Sequence, residues 1–254
     1  MPELFFKGKE FVFNHHLAVP FRPLVPDPQR SVGESGEAGR LDGNLIIHGD
    51  NLHALKALLP LYAGKVDCIF IDPPYNTGNE GWCYNDKVNS PMMKEWLAGN
   101  PVGIEDGLRH DKWLAMMWPR LRLLHELLSK NGILWMTLDD NEVHRARAML
   151  DEIFGAENFV ATCIWRKNYA PKSSARHFSE DHDYLLVFAK DAATWTPNLL
   201  ARTEEQNSAY RDTGDPRGPW RPNNLAARNY YSKGIFSINC PGGRRIPGPP
   251  PGSY

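Results

Sequence analysis

Four consecutive residues, Asp72, Pro73, Pro74 and Tyr75, place a carboxylate, rigid carbonyls and an aromatic ring in one short stretch. This set suits chemistry on the amino group of a flat base, because the lone pair of that amine is delocalised into the ring. A carboxylate and a backbone carbonyl that each accept one N–H favour a pyramidal nitrogen, and the tyrosine ring can stack on the base. The base must leave the duplex to reach them. The alternative interpretation is a simple turn capped by Asp72.

The elements that position this motif are predicted from the runs around it. The apolar run at 66–71 predicts a buried parallel strand. Proline cannot donate to a sheet ladder, so the motif should form a stiff loop at the carboxyl end of that strand, where open α/β sheets bind ligands. A strand at 45–48 and a helix precede it, which together predict a β-α-β unit with a right-handed crossover.

Polar residues that follow predicted strands are the candidates for cofactor binding, namely Asp50, Asn51, Asp72 and Asp139. The first two open the predicted helix, at the same sheet edge as the motif. They are either a helix cap or a ligand for the charged end of a cofactor. Asp139 follows a predicted strand at 132–138 and has capping-box spacing to Glu142. It therefore either caps the next helix or contacts a cofactor.

Two amphipathic helices flank the strand at 132–138. Apolar residues recur at helical spacing over 111–130 and 143–153, which predicts core-facing helices, with Pro119 kinking or breaking the first. Two more strands are predicted at 159–166 and 184–190.

Basic residues supply two groups of candidate DNA contacts. The loop between the last two strands lies at the rim of the predicted sheet, where phosphate contacts are expected. A solvated loop is the alternative. The candidate phosphate contacts in this loop are Lys167, Lys172, Arg176 and His177. From residue 195 onward, helical and strand periodicity fade into a loop-rich basic segment that contributes Arg202 and Arg217.

Composition limits the class of protein. The net charge of −1 gives no global basic field, so nucleic-acid binding must come from local patches. The four cysteines are scattered without a C-x-x-C pair, which indicates cytosolic thiols and no zinc site, and Cys68 is predicted to lie in the core. No apolar run is long enough to span a membrane, and the first residues show no signal-peptide pattern. We therefore expect a cytoplasmic protein without a bound metal.

Three regions are predicted. Residues 1–43 form a proline- and glycine-rich N-terminal arm, residues 44–194 form the catalytic domain, and residues 195–254 begin a further region. The long polar stretch at 76–107 fits a lid or a DNA-facing loop.

Taken together, these segments resemble the adenine-specific DNA methyltransferases, in particular the modification subunits of type III restriction–modification systems. The matching pieces are NLIIHGDNL at 44–52, GKVDCIFIDPPYNTG at 64–78, GILWMTLDDNEVH at 132–144, LDEIFGAENFVAT at 150–162, HFSEDHDYLLVFAK at 177–190 and DPRGPW at 215–220.

The resemblance implies an α/β fold with a Rossmann-like, doubly wound, mostly parallel sheet. It implies methyl transfer from S-adenosylmethionine to N6 of an adenine flipped out of double-stranded DNA. Asp72 and the Pro73 carbonyl would accept from the amine, Tyr75 would stack, and Asp50 with Asn51 would lie near the methionine end of the cofactor. The aspartate favours adenine, because cytosine-N4 relatives usually carry a serine there.

The resemblance also implies a prokaryotic setting, a homodimer and a restriction subunit with nuclease and helicase activity. Residues from about 195 match the start of the target-recognition region, and we expect the chain to be truncated inside it. The sequence departs from the family at one point, because it contains no Phe-x-Gly-x-Gly turn; the nearest glycine pair is Gly242-Gly243. The alternatives are therefore a catalytically incompetent DNA-binding or subunit-docking fragment, or a cytosine-N4 methyltransferase.

Overall fold

The computed structural model describes residues 3–31, 41–78, 107–170, 176–223 and 232–248. The chain divides into two compact units, Met1–Pro197 and Asn198–Tyr254. Among the described residues, no helix is long and apolar enough to cross a membrane.

The first unit combines helices with a four-stranded sheet. Its helices are α1 (Lys9–Val12), α2 (His15–Ala18), α3 (Asn51–Tyr62), α4 (Arg109–Leu127) and α5 (Val143–Phe154). Its strands are β1 (Val66–Ile71), β2 (Leu128–Leu138), β3 (Phe159–Arg166) and β4 (His182–Ala189), and a short 3₁₀ turn (Ala156–Asn158) precedes β3. The predicted α/β class is confirmed.

The strand order is β1-β2-β4-β3. The β1–β2 pair is parallel, whereas β4 is antiparallel to both of its neighbours. The described sheet is therefore mixed, where a mostly parallel one was expected. The reason is the connection from β3 to β4, which returns at the same sheet edge, as antiparallel neighbours allow. The carboxyl ends of β1, β2 and β3 and the amino end of β4 consequently share one edge.

The core lies on one face of this sheet. The central strand β2 contributes the fully buried Leu134, Met136 and Leu138, which pack in one cluster with α4 and α5. Strand β1 is covered less completely than predicted for a buried strand, because Ile69 is buried while Phe70 and Cys68 on its other face are exposed. The prediction that Cys68 lies in the core is therefore wrong.

Two predictions about the first third of the chain also differ from the structure. Residues 44–48 form no strand, and Ile46 is fully exposed, so the predicted β-α-β unit lacks its first strand. An apolar run without a strand partner cannot satisfy its backbone in a ladder. The region 1–43 was expected to be peripheral, yet within it Phe6 and Val12 are buried in the core cluster, against α4.

Helix α4 is a single element that runs through Pro119. The predicted break at that residue is absent from the helix. The structure also extends β2 back to Leu128, directly after the helix, whereas the predicted helix continued to residue 130 and the predicted strand began at residue 132. Gly132 lies where the β1–β2 register shifts, and a Cβ there would stand 2.8 Å from the Val66 carbonyl oxygen. Glycine permits that close approach of two backbones.

The second unit is built from short elements. Helix α6 (Glu204–Ser208) has a capping box made by Thr203 and Gln206. A short 3₁₀ turn (Ser232–Gly234) precedes the antiparallel pair β5 (Ile238–Asn239) and β6 (Arg245–Ile246).

Candidate active site

The motif loop begins where β1 ends, beside the parallel strand β2. The register pairs Ile71 with Met136, which places the next residues, Asp72 and Thr137, side by side. The Thr137 hydroxyl donates to Asp72 Oδ1 at 2.6 Å. This hydrogen bond and a second one from the Tyr75 hydroxyl orient the carboxylate. Thr137 was not predicted from sequence, although it stands two residues before the candidate Asp139.

Tyr75 belongs to the same group of side chains. Burial raises the pKa of its hydroxyl, the hydrogen bond with Thr137 opposes that rise, and the negative charge of Asp72 adds to it. The phenol is therefore neutral at physiological pH. A neutral, half-buried ring beside an exposed carboxylate is suited to stacking on a flat base while the carboxylate binds the edge of that base.

The motif loop is fixed from behind by α4. The Trp113 indole N–H donates to the Pro74 carbonyl oxygen at 2.6 Å. Trp113 is fully buried, so this contact ties the loop to the core. The sequence pattern predicted Trp113 as a core residue of a helical stripe and gave no signal for its hydrogen bond.

The other strand ends bring two charged residues to this edge. Lys167 Nζ lies 2.7 Å from Asp183 Oδ1. That hydrogen bond is the main cause of the raised pKa of Lys167; burial opposes it, and the negative charge of Asp139 contributes to it. Lys167, predicted as a phosphate contact in a basic loop, is thus paired with a carboxylate beside the motif. Asp183 was not predicted.

The candidate cofactor residues have local partners. Asp50 is the N-cap of α3, and its Oδ1 accepts from the Leu52 N–H at 2.9 Å. Asn51 Oδ1 accepts from Arg120 Nε at 2.8 Å. The capping interpretation of Asp50 is therefore realised, and its role toward a cofactor stays a prediction.

Asp139 does not form the predicted capping box. Its oxygens accept from the backbone and side-chain N–H groups of Asn141, at 2.9 and 2.7 Å, while Glu142 is the N-cap residue of α5. The Asp139 side chain closes a short turn instead, because asparagine two residues ahead supplies two donors. A contact with the cofactor stays a prediction here too.

The remaining predicted DNA contacts are dispersed. Lys172 lies outside the described residues, and Arg176 and His177 are exposed. In the second unit, Arg202 stacks on the Tyr210 ring at 4.3 Å. Arg217 pairs with Asp215 at 2.7 Å. Within the described residues, no group of His, Cys, Asp and Glu could hold a metal ion.

The sequence matches one protein family and several individual relatives. The family described as DNA methylase matches residues 66–241. The type III restriction-modification enzyme StyLTI Mod subunit of Salmonella typhimurium is 30% identical over 94% of this chain and 38% of its own length. The EcoPI Mod subunit of Escherichia phage P1 is 37% identical over 61% of this chain and 26% of its own length. The type II methyltransferase M.KpnI of Klebsiella pneumoniae is 33% identical over 56% of this chain and 31% of its own length.

Solved structures are less similar. The solved structure of the M1.HpyAVI–SAM complex is 20% identical over 62% of this chain and 60% of its own length, with a TM-score of 0.36. The chain spans between 26% and 38% of the length of the three relatives named above. The family match covers more than half of the chain and includes the motif, Thr137 and Asp183. The chain therefore belongs to the DNA methylase family.

Proposed function

We propose that this chain carries the methyl-accepting site of an adenine-specific DNA methyltransferase, part of a type III restriction–modification system, which modifies N6 of an adenine flipped out of double-stranded DNA. One observation carries the proposal: Asp72, Thr137 and Tyr75 meet at the carboxyl edge of β1 and β2. The similarity to type III Mod subunits supports the system to which it belongs.

Each residue of the motif has a separate role. The Asp72 carboxylate and the Pro73 carbonyl oxygen accept the two hydrogens of the amine as positive charge develops on nitrogen, which stabilises the transition state. The rigid Pro73-Pro74 backbone, anchored through Trp113, holds these acceptors in position before the substrate arrives. Tyr75 stacks on the flipped base.

When bound, S-adenosylmethionine would supply an electrophilic methyl group to the amine nitrogen and would leave as S-adenosylhomocysteine, and the amine would release one proton to water. The charges of this edge fit the positive charge of S-adenosylmethionine, because Asp72 lies beside Tyr75, and Asp139 and Asp183 outnumber Lys167 next to them. Asp50 and Asp139 are the carboxylates we assign to its ammonium group.

We assign Lys167, Arg176, His177, Arg202 and Arg217 to the DNA backbone as a working set. Membership of a restriction–modification system also leads us to propose a cytoplasmic location, a homodimer and a partner restriction subunit. Size measurement of the purified chain by light scattering, with and without DNA, tests the dimer.

The experiment that tests the function is transfer of labelled methyl groups from S-adenosylmethionine to DNA, followed by digestion to nucleosides. We expect N6-methyladenine, and we expect Asp72→Ala to lower transfer at least about 100-fold with the fold intact. Asp67→Ala is the matched control, because Asp67 lies on the same strand away from the motif, where it accepts from Ser129. N4-methylcytosine as the product, or normal transfer by Asp72→Ala, would refute the proposal.

A second candidate is a DNA-binding or subunit-docking role without catalysis. The observation that favours it is that two candidate cofactor carboxylates have local partners, since Asp50 caps α3 and Asp139 accepts from Asn141. Calorimetric titration of S-adenosylmethionine into the folded chain separates the two. Micromolar binding supports the enzyme, and no binding together with DNA affinity supports the second candidate.

A further inference from the structure

A buried carboxylate lies behind the motif loop and has no role in the proposed reaction. Glu142 is completely buried, although ionisable side chains are rarely buried without specific partners. One of its oxygens accepts from Asn76 Nδ2 and also contacts His110 Nδ1. The other lies 3.6 Å from an Arg145 guanidinium nitrogen. Burial of a carboxylate is costly in free energy. The cluster of Glu142 with Asn76, His110 and Arg145 therefore indicates that Glu142 has a role other than packing.

Asn76 connects this carboxylate to the motif. It directly follows Tyr75, is completely buried, and has a φ of 61°, in the left-handed region that glycine adopts freely and asparagine more often than most other residues. Its amide also donates to the Arg109 carbonyl oxygen at 3.3 Å. The backbone conformation that ends the motif is thus stabilised by hydrogen bonds from one side chain.

The cluster joins three parts of the fold. Asn76 ends the motif loop, His110 lies in the first turn of α4, and Glu142 is the N-cap residue of α5. Trp113, one turn further along α4, donates to Pro74. The motif is therefore attached to the first turns of α4 at two positions, Pro74 and Asn76, on either side of Tyr75. Glu142 connects the same end of α4 to α5.

We infer that Glu142 is a positioning residue for methyl transfer, which acts through Asn76 and His110 to hold the loop from Asp72 to Tyr75 in its reactive geometry. This inference rests on the proposed function, because it names what keeps the acceptors of that site in place. Glu142 does not touch the substrate. Its removal should disturb the loop and lower the rate of the chemical step, with little effect on cofactor affinity.

The experiment measures loop geometry and activity separately. The indole N–H of Trp113 reports its hydrogen bond to Pro74, and Trp113→Phe assigns its NMR signal among those of the eight tryptophans. In Glu142→Ala we expect hydrogen exchange of this indole to accelerate at least about tenfold. We expect kcat to fall about 100-fold, with the KM for S-adenosylmethionine changed less than about threefold. Glu142→Gln retains an acceptor for Asn76, so it should restore both readouts to within about fivefold of the native values.

Glu152→Gln is the matched control. Glu152 has the same side chain, lies on the same helix α5, and binds Leu4 and Lys9 in place of the motif loop. We expect this variant to lose stability without any change in the Trp113 indole signal. An equal change of the indole signal in Glu152→Gln would show a general effect of destabilisation and would overturn the inference.

The other possible results of these measurements also support or overturn the positioning role of Glu142. An unchanged indole signal in folded Glu142→Ala overturns the inference. If Glu142→Ala does not fold, Asn76→Gly takes its place, since glycine keeps the left-handed backbone and removes the side-chain amide. Faster hydrogen exchange of the Trp113 indole in Asn76→Gly supports the inference, and unchanged exchange overturns it. If the native chain transfers no methyl group, the proposed function fails for this chain, while the indole measurement still decides whether Glu142 holds the loop.

Discussion

Replacement of Thr137 by valine tests the proposed site most directly. The two side chains have nearly the same shape, so the change removes only the hydrogen bonds of the hydroxyl, chiefly the 2.6 Å bond to Asp72 and the bond with Tyr75. A hydrogen bond to a charged group contributes about 1.5–3 kcal/mol, and we take the lower end because Asp72 is exposed to water. A loss of about 1.5 kcal/mol in the transition state corresponds to roughly a tenfold fall in rate.

The assay is single-turnover methyl transfer at saturating S-adenosylmethionine, since this reports the chemical step. We expect about tenfold slower transfer, and a further rise in the pKa of Tyr75, because its hydrogen bond with Thr137 lowers that pKa. The pKa can be followed by NMR of labelled tyrosine, independently of activity. Thr162→Val is the matched control, because Thr162 lies in the middle of β3, and it should change neither quantity.

Two results would refute this reasoning. If Thr137→Val transferred methyl groups at the native rate, the carboxylate would not depend on the hydroxyl for its orientation. If the pKa of Tyr75 stayed constant in Thr137→Val, the Thr137 hydroxyl would not form a hydrogen bond with the Tyr75 phenol in solution.

Three further predictions concern the same unit. Lys9→Met leaves the Glu152 carboxylate, 2.7 Å away, without its cation, and should lower the free energy of unfolding by about 2–3 kcal/mol in urea titrations; Lys7→Met, at an exposed position, should not. Burial lowers the pKa of His125 to about 4, so unfolding should become easier as pH falls from about 6.5 toward 4, and His125→Gln should reduce this dependence. Asp72→Asn removes a negative charge beside Tyr75 and should lower the pKa of that phenol.

Each of these has an outcome that contradicts it. Equal stability losses for Lys9→Met and Lys7→Met would show that the N-terminal segment does not pack on the core in solution. For His125 the sign is fixed by the neutral folded form, because the unfolded chain binds the extra proton in that pH range. Stability that rises on acidification over this range, or is unaffected by His125→Gln, would contradict it. A raised pKa of the Tyr75 phenol in Asp72→Asn would contradict the third.

The sequence determined the parts of this protein that depend on local pattern. The apolar run before Asp72 and the prolines after it specified a strand that ends in a stiff loop, because neither feature needs a distant partner. Helical spacing specified α4 and α5 for the same reason. The order of these motifs along the chain also indicated the DNA methylase family, which the family match confirms.

Only the tertiary structure decided which side chains meet at the site. Thr137 reaches Asp72 because the parallel register places the two side by side, although they are separated by 65 residues in sequence. Asp183 reaches Lys167 because β4 pairs antiparallel with β3, which places Asp183 beside the end of that strand. Glu142 reaches Asn76 across 66 residues because α4 and α5 pack together. Such contacts depend on strand register and helix packing, and a shift of one residue in register would turn these side chains to the opposite face of the sheet.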